Sequence, residues 1–135
     1  MRKRLPIILG ISAAIITTFI LSNNNSLDEK LLSDTIFVSA VYFDSDHIIK
    51  ISYYDKSNST NTVTLEVVGL SKTFQKKYQT SSFTEEVPLS NPPEYGWSTL
   101  PVTFLVEHKQ FGRIQVKTEI SPLGSPPARV IYGKT

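Results

Sequence analysis

Between residue 35 and the end of the chain, apolar side chains recur at every second position. The pattern is clearest in the segments 62–67, 102–107 and 114–120. Because successive side chains of a β-strand point to opposite faces of a sheet, each segment has one face suited to a core and one suited to solvent. A tight connection around residues 109–112 joins the last two segments, which indicates a β-hairpin. This part of the chain is therefore expected to fold as β-strands.

Further segments complete a predicted set of seven or eight strands, namely 36–43, 49–54, 72–79, 83–89 and 129–132. The lysines of 72–79 and Pro88 place two of these strands at sheet edges, because edge lysines discourage pairing with other chains and proline lacks a backbone N–H. Clusters of Asp, Ser, Asn and Pro predict turns or loops between strands at 44–46, 55–61 and 90–101.

Seven or eight short strands with a turn signal about every 8–12 residues are typical of an antiparallel β-sandwich. The strand count and spacing from Thr35 to Gly133 resemble those of immunoglobulin-like and fibronectin type III-like domains. The resemblance implies two packed sheets with loops at both ends. The chain departs from true immunoglobulin domains because it has no cysteine and because Trp97 falls in a predicted loop instead of an early strand.

Residues 1–22 differ sharply from the rest of the chain. A basic cluster, Arg2-Lys3-Arg4, precedes an uncharged run from Ile7 to Leu21, and the polar run Asn23-Asn24-Asn25 follows. This order is typical of a membrane-targeting segment, and the positive first flank keeps the amino terminus in the cytoplasm. The apolar residues that would form the membrane segment are Ile7, Ile8, Leu9, Ile11, Ile15, Ile16, Phe19, Ile20 and Leu21.

The same segment has features of a retained anchor. The eighteen residues from Leu5 to Ser22 lie near the lower limit of about 17–25 for a spanning helix. A cleaved signal peptide ends in small residues, whereas the bulky run 19–21 occupies that place here. We therefore predict a single transmembrane anchor at 1–22, a linker at 23–34 and an extracytoplasmic β-sandwich at 35–135. The alternative is a signal peptide whose removal releases a soluble binding protein.

Composition excludes several classes of function. After Leu27 the chain has twelve acidic and eleven basic residues, a formal charge of −1, so it lacks the positive surface that nucleic-acid binding requires. Without cysteine it has no disulfide framework, and its stability must come from core packing. The sequons that begin at Asn24 and Asn58 are compatible with glycosylation of a translocated protein.

Motifs for catalysis, metals and cofactors are missing from the sequence. There is no G-x-S-x-G elbow, no H-E-x-x-H and no glycine-rich phosphate loop. His47 and His108 are the only histidines, and a zinc site needs at least three protein ligands. Asp44 and Asp46 lie beside His47, but a turn whose aspartates bind backbone N–H groups accounts for this cluster without calcium. The sequence therefore predicts a non-catalytic protein without metal or cofactor.

The segment 92–101 is the strongest candidate for a binding surface, through Glu94, Tyr95 and Trp97. Loops at the ends of sandwiches often carry binding function, and Trp and Tyr are enriched among interface hot spots. The alternative is that Tyr95 and Trp97 cover the open end of the core. The last predicted strand is a second candidate, because a terminal strand can pair with the sheet edge of a neighbour.

Together these features predict a single-pass protein that presents one β-sandwich outside the cytoplasm as an interaction or scaffolding module. A linker of twelve residues, 23–34, spans at most about 40 Å, so the expected partners are membrane or cell-envelope proteins near the bilayer surface. The alternative is an accessory subunit of a larger membrane complex. The plan is similar to that of archaellum stator components, which have an amino-terminal membrane helix followed by an outer sandwich.

Overall fold

The computed structural model describes residues 28–135. A short helix, α1 (Glu29–Thr35), precedes nine strands, and a 3₁₀ helix (Trp97–Thr99) lies between the fifth and sixth strands. The strands are β1 (Ile36–Phe43), β2 (Ile48–Asp55), β3 (Thr60–Val67), β4 (Phe74–Tyr78), β5 (Ser82–Pro88), β6 (Val102–His108), β7 (Gly112–Thr118), β8 (Ser121–Pro122) and β9 (Ile131–Lys134).

The predicted anchor at 1–22 and the sequon at Asn24 lie outside the described residues. Within 28–135, no helix combines the length and the hydropathy that crossing a bilayer requires. The membrane anchor therefore stays a prediction from the sequence.

The nine strands form two sheets, and the prediction of a β-sandwich is confirmed at this level. One sheet has the order β5-β2-β1-β8 and the other the order β4-β3-β6-β7-β9. Neighbouring strands are antiparallel except for β1 and β8, which pair in parallel over two residues. The predicted edge positions of β4 and β5 are confirmed. The strand β8 was not expected, and the last strand begins two residues later than the sequence suggests.

The core is formed by the inward-facing positions of both sheets. The largest fully buried side chains are Tyr53, Phe104, Leu32, Ile36, Ile49, Ile51, Leu65, Ile114, Ile120, Val63, Val67 and Val102. Apart from Leu32, all come from the alternating apolar positions of the predicted strands. Burial of one such side chain stabilises a fold by roughly 1.5–3 kcal/mol, so these positions determine which face of each strand turns inward.

Stacked aromatic rings join the two sheets along one side. Tyr78 of β4 and Phe83 of β5 stack with their ring centroids 3.7 Å apart, and Phe83 stacks on Tyr53 of β2 at 5.5 Å. The Tyr78 hydroxyl donates a hydrogen bond to Glu85. Because β4 and β5 are edge strands of different sheets, these contacts close the sandwich where the chain crosses between them.

Helix α1 is fixed to the sandwich. The Asp28 carboxylate accepts a hydrogen bond from the backbone N–H of Leu31 at 3.1 Å and caps the helix. Leu32 is fully buried in the core, and the Tyr132 hydroxyl donates to the carbonyl of Ile36 at 2.9 Å. The helix thus occupies much of the predicted linker, and only residues 23–27 separate it and its cap from the predicted anchor.

The strand directions gather the connections at two opposite ends. The helix end contains α1, the β2–β3 loop (56–59) and the β6–β7 turn (109–111). The loop end contains the β1–β2 turn (44–47), the β3–β4 connection (68–73) and the β5–β6 loop (89–101). Since a strand rises about 3.3 Å per residue, eight-residue strands keep the two ends roughly 25 Å apart.

Candidate functional sites at the two ends of the sandwich

Trp97 covers the core at the loop end. Its half-buried ring lies 5.2 Å from the buried ring of Tyr42, measured between centroids. The Tyr42 hydroxyl in turn donates a hydrogen bond to the carbonyl of Leu89 at 3.1 Å, which connects the start of the loop to β1. Trp97 therefore packs on the core, as the alternative interpretation of the loop expects.

Tyr95 and Glu94 point away from the core. Tyr95 is 81% exposed, the largest value among the exposed large apolar or aromatic side chains of 28–135, and Glu94 is also exposed. Gly96, with a φ of 99°, separates the outward Tyr95 from the inward Trp97, and this φ lies where glycine is favoured. The structure thus divides the predicted trio into one packing residue and two surface residues.

A second segment holds the loop from the side. The backbone N–H of Val68 donates to the carbonyl of Pro101 at 3.4 Å. Gly69 has a φ of 99°, and a Cβ atom there would lie 2.2 Å from the carbonyl oxygen of Thr99. Only glycine permits this close approach of two backbones. Exposed residues of the loop are therefore carried on a well-packed base.

An open cleft of about 690 Å³ lies next to this loop. It runs between residues 69–75 and residues 87–93, with Leu70, Phe74 and Leu89 among its apolar lining residues. Its volume falls within the range of about 300–1,000 Å³ that is common for small-molecule sites. The cleft is open, and Lys72 is the only charged residue in its lining, so it adds a concave surface next to the loop without indicating a reaction.

The helix end contains a buried polar pair that the sequence analysis missed. Nε2 of His108 lies 3.0 Å from Oδ2 of Asp55, and neither side chain is exposed to solvent. Asp55 ends β2 and His108 ends β6, so the pair connects the two sheets. In the sequence, His108 stands out only as one of two histidines, whereas the structure encloses its side chain beside Asp55.

The β2–β3 loop wraps around the Asp55 carboxylate. Ser57 donates to Oδ1 through its backbone N–H at 2.9 Å and its hydroxyl at 2.6 Å. The backbone N–H of Ser59 and the hydroxyl of Thr60 donate to Oδ2 at 3.0 and 2.7 Å. Burial by itself would raise the pKa of Asp55, but the hydrogen bonds from Ser57, Thr60 and Ser59 outweigh it and hold the pKa below its usual value.

The hydrogen bonds of His108 determine its tautomer. Nδ1 faces the backbone N–H groups of Gln110 at 3.0 Å and Phe111 at 3.2 Å, so it acts as an acceptor and carries no proton. The ring proton is therefore on Nε2, which donates to the Asp55 carboxylate.

Ser57, His108 and Asp55 are the residue types of a hydrolytic triad, but their arrangement differs. In a triad the acid binds Nδ1 and the serine hydroxyl faces an unprotonated Nε2. Here Ser57 Oγ, at 3.2 Å, and Asp55 Oδ2 both face Nε2, while Nδ1 is held by the backbone. Since Nε2 carries the proton, His108 has no free site to accept one from Ser57. The cluster is suited to fixing the loop.

The sequence around Asp55 contains a local signal for the loop part of this cluster. Asp55 closes a strand and is followed by the small polar run Ser57-Asn58-Ser59-Thr60, a composition in which an aspartate accepts bonds from nearby backbone N–H and hydroxyl groups. The pairing with His108 has no such signal, because the two residues are 53 positions apart.

The other predicted site residues lie apart from one another. Asp44, Asp46 and His47 are exposed in the β1–β2 turn, and within 28–135 no three His, Cys, Asp or Glu side chains come together as metal ligands would. Asn58 is exposed at the helix end with a φ of 55°, and the sequon's Thr60 hydroxyl is bonded to Asp55. The terminal strand β9 pairs with β7 of its own chain.

Comparison with known proteins provides no assignment. The chain matches no protein-family model, no curated protein and no solved structure. Its function has to be inferred from the residues described above.

Proposed function

We propose that the protein is a membrane-anchored, extracytoplasmic β-sandwich that acts without catalysis as a protein-interaction or scaffolding module. Its contact surface is the β5–β6 loop, with Tyr95 as the central residue and Glu94 beside it. The observation that carries the proposal is the 81% exposure of Tyr95 next to the packed Trp97. An exposed aromatic side chain on a fixed loop contributes contact area on binding with little loss of conformational entropy.

The position of the loop supports this role. The described chain begins at the helix end, so an anchor at 1–22 would lie on that side, and Tyr95 would face away from the bilayer by roughly the 25 Å length of the strands. The five residues 23–27 span at most about 18 Å, a shorter reach than the sequence-based linker allows. The expected partners are therefore membrane or cell-envelope proteins close to the surface.

We further infer that the sandwich is of the immunoglobulin-like type. The order β1-β2-β5 corresponds to strands A, B and E of that fold, and the order β4-β3-β6-β7 corresponds to C′, C, F and G. The missing cysteines and the position of Trp97 set the chain apart from antibody domains. The strand order supports the class and says nothing about the ligand.

Site-specific photo-crosslinking in living cells tests the interaction. A photoreactive phenylalanine derivative would replace Tyr95 in the full chain, and in a matched variant it would replace Ile131, which is 55% exposed on β9. We expect crosslinks from position 95 to a defined membrane or envelope protein and none from position 131. Equal crosslinking from both positions, or from neither, would contradict the proposal.

The crosslinked material from these cells also distinguishes the proposed module from an accessory subunit and from a secreted binding protein. One stoichiometric membrane partner would identify the protein as an accessory subunit of a larger complex. The mass of the mature chain reports the fate of residues 1–22, because their loss would identify a secreted binding protein.

A further inference from the structure

The outer face of the four-stranded sheet has an aromatic pair beside the helix end. Phe37 of β1 and Tyr54 of β2 are directly opposite in register, and their rings stack with centroids 6.1 Å apart. They are 46% and 50% exposed. Leu31 of α1, the helix that leads directly into β1, is also exposed. We refer to Leu31, Phe37 and Tyr54 as the rim surface.

The rim surface is close to the point where the described chain begins. Phe37 is the second residue of β1 and Tyr54 is the penultimate residue of β2, so both lie at the helix end. Helix α1 is held by its Asp28 cap and by the burial of Leu32. The uncharged segment 7–21 therefore ends only a few residues from a rigidly fixed helix, and the length of the intervening chain limits how far the rim can be from a membrane that holds this segment.

Charges around the rim are balanced. Lys56 and Lys109 lie on two of the connections at the helix end, and Lys30 pairs with Asp34 on α1 at 3.2 Å. The acidic residues 28 and 29 are also at the start of the helix. Because the two signs are mixed, electrostatic attraction to anionic lipids is not the main source of contact. The aromatic pair is the distinctive feature, and tyrosine is enriched at the level of lipid headgroups because its ring is apolar and its hydroxyl is polar.

We propose that the rim surface rests on the headgroup region of the lipid bilayer beside the anchor. The occupant is the lipid itself, and the docking rests on the anchored state proposed above. Contact through Phe37 and Tyr54 orients the sandwich so that the loop end, with Tyr95, faces the aqueous side. The contact is independent of the anionic lipid content because it depends on aromatic side chains.

Fluorescence quenching in vesicles tests the docking with the full chain. Since the chain has no cysteine, single substitutions can each carry an environment-sensitive fluorophore: Ser39→Cys on the outer face beside Phe37, and Ser98→Cys at the loop end. The chain is reconstituted in phosphatidylcholine vesicles that contain lipids spin-labelled near the headgroup. We expect strong quenching and a blue-shifted emission for the label at position 39 and neither for the label at position 98.

A variant pair tests which residues are responsible. Combining Phe37→Ser with Tyr54→Ser is expected to reduce quenching at position 39 several-fold. Leu123→Ser is the matched control, because Leu123 is 63% exposed and lies near the loop end, where its N–H donates to Tyr42. Quenching should be unchanged in that variant. The comparison of positions 39 and 98 in the otherwise natural chain does not depend on how any serine variant folds.

Flotation of the vesicles on a density gradient separates two failures. A chain that does not float would overturn the anchored state and the docking with it. A chain that floats, but whose labels at 39 and 98 are quenched equally, would overturn the docking alone and leave the anchor in place. Quenching at position 39 that survives the double serine substitution would also overturn the role given to the aromatic pair.

Discussion

The two ends of the sandwich are closed by different physical means. At the helix end, the buried Asp55 carboxylate accepts five hydrogen bonds: three from its own loop, one from Thr60 at the start of β3 and one from His108. At the loop end, Trp97 packs on Tyr42 and glycine permits a close backbone contact. Hydrogen bonds are directional and require every partner in place, whereas apolar packing depends mainly on shape. The polar closure thus fixes one loop tightly, and the apolar closure leaves Tyr95 free for contact.

Among substitutions at the two ends, removal of the Asp55 carboxylate should lower the free energy of unfolding most. Asp55→Ala leaves the Nε2–H of His108 and the loop donors without their acceptor, and each buried polar group left unpaired costs about 1–3 kcal/mol. Urea unfolding of the full chain in mild detergent measures the change. Asp34→Ala is the control, since its exposed pair with Lys30 is worth about 1 kcal/mol or less. Similar losses of unfolding free energy in the two variants would contradict the stabilising role given to the polar cluster.

Truncation of an aromatic side chain at the loop end should lower the free energy of unfolding less than the loss of the Asp55 carboxylate does. Removal of a buried Trp side chain costs about 3–5 kcal/mol, and since the ring of Trp97 is only half-buried, we expect roughly 2 kcal/mol for Trp97→Ala. Tyr95→Ala removes a side chain that is 81% exposed, and such a surface change is expected to cost about 0.5 kcal/mol or less. Thermal unfolding followed by circular dichroism compares them. An equal loss for the two variants would show that Tyr95 also supports the fold.

The smallest expected difference between the two ends is in how the free energy of unfolding depends on acid pH. The folded-state pKa of Asp55 lies below its unfolded value, which is about 3.9 for a free aspartate. Its contribution to the free energy of unfolding is therefore complete at neutral pH and is lost as the pH falls below about 4 through the folded pKa. Urea unfolding between pH 7 and pH 2 should show a weaker acid dependence for Asp55→Asn than for the natural chain. Trp97→Ala should keep the natural dependence, and an unchanged slope in Asp55→Asn would contradict the assignment.

The strands were predictable because their signal is local. Alternation in segments such as 62–67 and 102–107 depends only on neighbouring residues, and each resulting strand buries the expected face. Pro88 similarly marks an edge strand through a property of one residue. Most of the short helix α1 falls in the segment predicted as a linker, 23–34, because seven residues provide too few periods for a clear helical pattern.

The candidate site was only partly predictable. The loop 92–101 was recognisable from its prolines and aromatic residues, but which ring points inward depends on Gly96 and on the position of Tyr42, which approaches from another strand. The partnership of Asp55 with His108 depends on two strand ends that meet in different sheets. Neither arrangement can be derived from the spacing of residues along the chain.

By itself, the sequence determined the class of fold, the faces of the strands, the absence of disulfides and the membrane-type composition of the first twenty-two residues. These properties follow from composition and short-range periodicity. Only the tertiary structure decided the buried Asp55–His108 pair, the inward Trp97 beside the outward Tyr95, and the aromatic rim of Phe37 and Tyr54. The physical reason is that burial, hydrogen bonding and exposure depend on which distant segments come into contact when the two sheets pack.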